Sequence, residues 1–448
     1  MTPPDPALSS RYPAHLARLC AEFDAALELS SLERVVIGAG TQHLFFRDDM
    51  HYPFRCFAMF RWWVPVTDNP NCYLVYAKGA TRPTVLFWQP RDYWHLPAAA
   101  PQDHWVEHCE LVTIADPAEL AAHLPKDLAR TAFLGESEPA ADAIAFGARN
   151  PDVLVTHLEY HRGYKSEYEV RCLELATSKG VRAHRAAEAA FRAGASEYEI
   201  HMEYCRAAGH AERELPYGNI VARDAMAAVL HYQHQRRERP SDPRSLLIDA
   251  GAQHAGYACD ITRTYSARRD DGFAELVAGM DAAQRRLCDA VRPGTPYPAL
   301  QRLAHLEVGG LLQRHGIVDM TPEAAFAARV THAFYPHGVG HLLGLNVHDA
   351  AGFARSDRGG TLEKPEGEPN LRLTRPIEER MVFTVEPGLY FIDLLLDELK
   401  ARPEAKQVDW DRVVELQPCG GIRIEDDVVV TATGHRNLTR EAFAEQAV

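Results

Sequence analysis

No run of about 18 uncharged apolar residues occurs anywhere in this chain of 448 residues, so the sequence offers no bilayer-spanning helix and no membrane partner. The opening Met1 to Pro6 lacks the basic start, apolar stretch and small-residue cleavage site of a secretory signal. A cytoplasmic location is therefore expected. Positive charge is also short: 48 Lys and Arg stand against 62 Asp and Glu, for a net charge of -14. That balance repels phosphate backbones and argues against nucleic acid as a partner, while leaving negative charge to neutralise bound cations. The nine cysteines are scattered from Cys20 to Cys419 without CxxC or zinc-finger spacing, a distribution that fits reduced thiols packed as core fillers. No repeat with a fixed period of about 20 to 50 residues is visible.

What is present is the composition of a soluble globular protein, 46% hydrophobic and 25% charged, long enough for two domains. From Leu16 to Gly147 the pattern alternates. A periodic helix over Leu16 to Leu29 is followed by β-rich runs at Arg34 to Ile37, Cys72 to Tyr76 and Thr84 to Trp88, then by helix, strand and helix within Pro117 to Phe146. Residues 1–160 thus read as an α/β domain. Within it Phe45 to Arg61, followed by Trp62 and Trp63, forms an aromatic and charged cluster that fits either a packed loop or a contact with a partner subunit or substrate. Near Tyr160 the character changes, and Ser166 is placed to cap a long helix with acidic residues in its first turn. Residues 161–448 show helices at Ser196 to Gly209, Phe273 to Arg292 and Ala299 to His315, with strand-like runs at Ser245 to Ala267 and Met381 to Ile392. That arrangement predicts an α+β second domain.

The chemistry lies in the second domain. The apolar run Leu246 to Ile248 ends in Asp249, and Asp260 follows eleven residues on, in Gly256 to Thr264. Two antiparallel strands joined near Gln253 to Gly256 would bring both carboxylates onto one face. Asp is depleted in strands, so two of them in β-rich runs ask for a reason. The segment Pro336 to Asp349 then carries His337, His341 and His348 among Gly338, Gly340 and Gly344. The i, i+4 spacing of His337 and His341 does not establish a helix, since the glycines favour an irregular backbone. Glu386 follows an apolar run from Val382 to Val385, and Glu425 closes Gly420 to Glu425. Strand alternation puts Arg423 and Glu425 on one face, opposite Ile422 and Ile424, and that face can point to water or to a polar interior.

Four carboxylates and one imidazole supply hard oxygen and nitrogen ligands for two divalent ions of the manganese or cobalt type. Four negative charges would balance two dications, making the set tolerable when buried. Such ions sit about 3.5 to 4 Å apart and can supply a bridging hydroxide nucleophile at neutral pH.

In order and spacing these motifs resemble those of the pita-bread metallopeptidases, and most nearly the bacterial Xaa-Pro dipeptidases, or prolidases. The similarity extends to Phe45 to Val66, Leu215 to Val221, Val229 to Tyr232 and Asn370 to Arg372. It implies a creatinase-like α/β first domain and a pita-bread catalytic domain. It further implies that Asp249 and Asp260 hold one metal, that His341 and Glu386 hold the other, and that Asp260 and Glu425 bridge them. Manganese would be the favoured ion, with cobalt or zinc as substitutes. Glu386 would also shuttle the proton, while His337 and His348 would stabilise the oxyanion and hold substrate. Arg372 would clamp the free carboxylate of a C-terminal proline, His231 would form a pocket wall, and Arg423 and Tyr217 would line the site. A homodimer is implied too, with Asp49 or a neighbouring aromatic reaching the partner's site. The expected reaction is hydrolysis of Xaa-Pro dipeptides, with phosphotriesters as a side activity. Two rivals differ in what they would bind. An aminopeptidase P would take longer peptides, and a metal-free binding module of the same fold would have lost the ligands.

Overall fold

Arg34 to Gly38 is buried at every residue but the first, and the first unit is built around it. This computed structural model describes residues 5–94, 96–268 and 270–446. The central strand β1 (Arg34–Gly38) lies antiparallel to β2 (Tyr73–Ala77) and parallel to β5 (Thr131–Leu134), so that Val36 faces Val75 on one side and Phe133 on the other. With β3 (Thr84–Trp88), β4 (Glu110–Ile114) and β6 (Ala148–Arg149) the six-stranded order is β4-β3-β2-β1-β5-β6. Val36, Tyr73, Leu86, Ile114 and Phe133 pack with Leu120 and Ala141 into one core. The helices are α1 (Pro6–Leu29), α2 (Ala58–Trp63), α3 (Pro139–Asp142) and α4 (Asp152–Arg162), and α1 packs on α4. This is the expected α/β domain.

Helix α1 starts at Pro6, ahead of the predicted Leu16. Asp5 caps it, its side chain accepting from Ala7 N–H at 2.8 Å, and Pro6 fills the first turn, where no N–H is needed. Trp62 and Trp63 are buried, whereas Phe46, Met50 and Tyr52 are exposed. The aromatic cluster is therefore part core and part surface.

By internal packing the first unit comprises Met1–Cys172, Ala255–Tyr257 and Arg355–Gly360, and the second comprises Leu173–His254, Ala258–Ala354 and Thr361–Val448. Helix α5 (Glu167–Arg192) is opened by Ser166, whose hydroxyl accepts from Glu169 N–H while Glu169 accepts from Ser166 N–H at 2.8 Å. This is the capping box that Ser166 and the early acids foretold. In the second unit α6 (Glu197–Ala208), α7 (Gly272–Asp289) and α8 (Tyr297–Arg314) occupy the expected helical stretches.

The strands of the second unit form short antiparallel sheets. One has the order β11-β8-β7, from β7 (Ile220–Arg223), β8 (Ser245–Asp249) and β11 (Thr262–Ser266), with β9 (Gln253–His254) and β10 (Tyr257–Ala258) between β8 and β11 in the chain. A second pairs β12 (Val382–Val385) with β15 (Asp426–Val430) and β16 (His435–Asn437), and a third pairs β13 (Gly388–Tyr390) with β14 (Gly421–Arg423). Two isolated bridges, Thr262 to Glu425 and Leu342 to Phe383, stitch the sheets and the glycine-rich histidine segment together. Alanines, Ile248 and Ile261 pack with α5 and α6 residues such as Phe191 and Tyr204 beneath this surface. The nine cysteines are all free and, except for Cys20, buried. Among the described residues no helix is long and apolar enough to cross a membrane.

Candidate metal centre

Pairing of Thr262 with Asp249 across β8 and β11 places Asp260 just beyond the last pair, so both carboxylates emerge at one end of the hairpin. Gly251 lets the chain turn there: a Cβ would sit 2.3 Å from the Cys259 carbonyl oxygen and 2.7 Å from the Tyr217 ring. The Tyr217 hydroxyl lies 2.7 Å from Asp249 Oδ1 and 2.5 Å from Asp260 Oδ1. One hydroxyl carries one proton, so Tyr217 serves one carboxylate at a time, while Arg423 serves Asp249 and His341 lies beside Asp260. Burial, opposed by Arg423, pushes the Asp249 carboxyl up. For Asp260 burial acts the same way, but the hydrogen bond and charge of His341 outweigh it and hold that carboxyl below its ordinary value.

His341 comes from the glycine-rich segment, which runs extended beside β12: Thr384 N–H donates to the His341 carbonyl at 3.0 Å. Gly340 permits that approach, since a Cβ would lie 2.0 Å from the Thr384 carbonyl oxygen. His341 Nδ1 donates to the Leu342 carbonyl at 3.0 Å. Nε2 is thereby turned toward Asp260 Oδ2 at 3.5 Å and Glu386 Oε1 at 3.8 Å, where it shares a proton with these acids or, deprotonated, offers a lone pair to a metal. Glu425 receives the Thr262 hydroxyl at 2.6 Å. Its ligand atom, with those of Asp260 and His341, forms a set mutually within 4.8 Å.

Arg423 and Glu425 are 5% and 2% exposed, so the face they share points inward. Arg423 donates to Asp249 Oδ2 at 2.7 Å and to the Tyr390 hydroxyl at 2.8 Å. With the His341 imidazole, which Asp260 and Glu386 hold above its ordinary value against burial, it faces four acids. Burial and neighbouring acids accordingly raise Glu425 well above its usual range, and burial raises Glu386 to about 7. Hard oxygen donors in excess, with one imidazole nitrogen turned toward them, fit divalent cations.

A cavity of about 690 Å³ opens over this cluster. Its walls include His231, His337, His348, Arg372 and Lys364 as well as Asp249, Asp260, His341, Glu386, Arg423 and Glu425. The rings of His341 and His348 meet edge to face, with centroids 4.3 Å apart. Burial, His341 and Arg372 lower the His348 imidazole to about 4. Tyr217 sits behind the wall on the two aspartates. Asp49 does not line the cavity; it lies exposed in the first unit, its N–H donating to Asp48 Oδ1 at 2.7 Å.

Three further contributors are absent from the sequence reading. Tyr390, at the end of β13, joins Arg423 to His337. Thr262 supports Glu425 and receives Arg423 Nε at 3.2 Å. Asp427 receives the Asp260 N–H at 3.2 Å. The alternation in Asp260 to Thr264 is the one pattern that could have pointed to Thr262.

The paired short sheets and the inward acid and imidazole cluster define a pita-bread metallohydrolase. Residues 10–160 match the N-terminal domain of Xaa-Pro dipeptidase, and residues 171–432 match metallopeptidase family M24. The chain is 50% identical over 441 residues to the Xaa-Pro dipeptidase of Xanthomonas axonopodis pv. citri (strain 306), covering 98% of this chain and 99% of that one. It is 49% identical over 433 residues to that of Stenotrophomonas maltophilia (strain K279a), covering 97% of each. Among solved structures it resembles the Pseudomonas aeruginosa aminopeptidase PepP, with a TM-score of 0.72 at 23% identity over 97% and 96% of the two chains. A zinc-substituted aminopeptidase P of E. coli in complex with product aligns with a TM-score of 0.70 at 25% identity, over 96% and 97%. The chain belongs to metallopeptidase family M24, in the branch of the Xaa-Pro dipeptidases.

Proposed function

We propose that this chain hydrolyses Xaa-Pro dipeptides at two divalent ions, manganese by preference and cobalt or zinc in its place, held by Asp249, Asp260, His341, Glu386 and Glu425. The observation that carries the substrate is Arg372. It stands in the wall of the cavity that holds these donors, close enough to His348 to act on its charge. Its planar fork suits the free carboxylate of a C-terminal proline.

With that carboxylate on Arg372, the scissile carbonyl would reach the acid cluster, since His348 and His231 line the same cavity. When bound, the ions act as Lewis acids and lower the pKa of water. Glu386, on the cavity wall beside His337, would take a proton from the attacking water and return it to the departing proline nitrogen. His348 would face the oxygen on which charge develops, and His337 would help to hold the substrate. The tertiary amide of Xaa-Pro has no N–H, and nothing in this scheme asks for one.

The dimer is part of the same reading: the exposed Phe46, Met50 and Tyr52 around Asp49 form the surface for a second copy, with a cytoplasmic location. The division into 1–160 and 161–448 puts every donor in the second part. The test is a panel of Gly-Pro, Leu-Pro and Leu-Pro-Gly assayed after reconstitution with manganese, cobalt or zinc. Both dipeptides should be cleaved, best with manganese, and the tripeptide largely spared. Fast cleavage of the tripeptide would reject the dipeptidase reading, and a monomer by sedimentation velocity would reject the dimer.

A further inference from the structure

A second convergence of imidazole and carboxylate lies in the first unit, apart from every residue used above. His157 and His161 stand at i and i+4 on α4, so both rings project from one face. Glu22 on α1 meets them there, its Oε2 lying 3.6 Å from His157 Nε2 and 3.4 Å from His161 Nδ1. On the opposite edge Asp357 Oδ2 lies 3.1 Å from His157 Nδ1 and 3.8 Å from His161 Nε2.

Counting protons exposes an imbalance. The hydrogen bond to Asp357 puts a proton on His157 Nδ1. In the neutral ring Nε2 then turns a lone pair toward the Glu22 carboxylate. That nitrogen is buried and has no hydrogen-bond partner, in a side chain only 5% exposed. Two acceptors facing each other repel unless a positive species lies between them. Arg18 does not fill that role: it lies 3.9 Å from the other Glu22 oxygen and donates to Glu169 and the His161 carbonyl. Arg358 pairs instead with Asp357, at 3.4 Å.

We propose that Glu22 Oε2, His157 Nε2 and His161 Nδ1 bind a divalent cation of the zinc type, with Asp357 orienting the rings from behind. The three donor atoms lie mutually within 4.8 Å. Bonds of about 2.0–2.1 Å in a tetrahedron separate ligands by roughly 3.4 Å, and the two Glu22 edges are already 3.6 and 3.4 Å. Two imidazoles and a carboxylate are a mixed set suited to zinc. A carboxylate on the far ring nitrogen is the usual outer partner of a metal-binding histidine. Glu22 and His161 are 20% and 27% exposed, which leaves a path for the ion and a position for water. The ion would tie α1, α4 and the Arg355–Gly360 segment together within the first unit, as a clip separate from catalysis.

The test is equilibrium dialysis of the full chain against zinc, followed by elemental analysis of wild type, Glu22→Gln and His161→Ala. Glu22→Gln keeps the side-chain shape, and His161 is partly exposed, so both variants should fold, as circular dichroism checks. Wild type should hold one more ion per chain than either variant, zinc should raise its melting temperature further, and Glu22→Gln should keep its Leu-Pro activity. Equal metal content in folded wild type and both variants would overturn the proposal, leaving an imidazolium between two carboxylates.

Discussion

Nε2 of His337 lies 2.8 Å from the Tyr390 hydroxyl, to which Arg423 donates from the other side, also at 2.8 Å. An arginine only donates, so the tyrosine oxygen accepts from it and sends its own proton to His337. The histidine proton is thereby confined to Nδ1, which lies 2.9 Å from the Gly338 carbonyl and 3.6 Å from Glu386 Oε2. Burial and Arg423 lower this imidazole to about 3, so it stays neutral across the working range. Tyr390→Phe frees the ring to change tautomer. The expected cost is about tenfold to a hundredfold in kcat/KM for Leu-Pro, the size typical of losing a partner that orients a site residue. Unchanged kinetics would take His337 out of the reaction.

Arg372→Ala should act on binding. Losing a charge-assisted pair costs about 1.5 to 3 kcal/mol, which is roughly a tenfold to hundredfold rise in KM for Leu-Pro with a smaller change in kcat. Leu-Pro amide, which lacks the carboxylate, should be a poor substrate for wild type and no poorer for the variant. Equal KM values for Leu-Pro in the two proteins would remove the clamp.

How far the site was legible depended on where its contacts come from. Asp249 and Asp260 could be read because the hairpin that joins them is local, and a period of two puts both on one face. Arg423 and Glu425 could be assigned to a common face but not to its direction, since that is set by β11 and by the Thr262 bridge, some 160 residues away in sequence. Tyr390 had no local mark, because its partners Arg423 and His337 arrive from other segments. His157 and His161 share a helix face, yet nothing in sequence places Glu22 or Asp357 beside them. In the first unit the strands were legible from their apolar runs, while the start of α1 was missed because Asp5 as a cap outweighs the proline-rich opening.

Stability of the first unit should vary with pH through Glu138. Its Oε1 accepts the Gly40 N–H at 3.2 Å, but Oε2 is buried with no hydrogen-bond partner. Burial raises the carboxyl from 4.5 to about 7. The native state therefore prefers the protonated form, and that stabilisation is full below about pH 4.5 and is lost as pH rises through about 7. Glu138→Gln removes the titration and should gain about 2 to 3 kcal/mol relative to wild type on going from pH 4.5 to 8. Chemical denaturation at the two pH values measures this directly, and a parallel pH dependence in wild type and variant would contradict it.

Asp426 titrates in the opposite sense. It is fully buried, receives Arg263 Nη2 at 2.7 Å on one oxygen, and receives Arg440 Nε at 2.6 Å and Asn437 Nδ2 at 2.8 Å on the other. Burial alone would raise this carboxyl, but the two guanidinium groups outweigh it and hold it at about 2. A depressed value means stability that is present above about 3.8 and drains away as pH falls through about 2. Asp426→Asn leaves Arg263, itself buried, without its counter-charge, and breaking a buried pair in this way costs roughly 3 to 5 kcal/mol. Asp426 also directly follows Glu425 and begins β15, so loosening it should weaken metal retention before the chain unfolds. Urea unfolding of the variant at pH 7, alongside the chelator concentration that halves its bound metal, tests both effects. A loss below about 1 kcal/mol would show that the arginines find other partners.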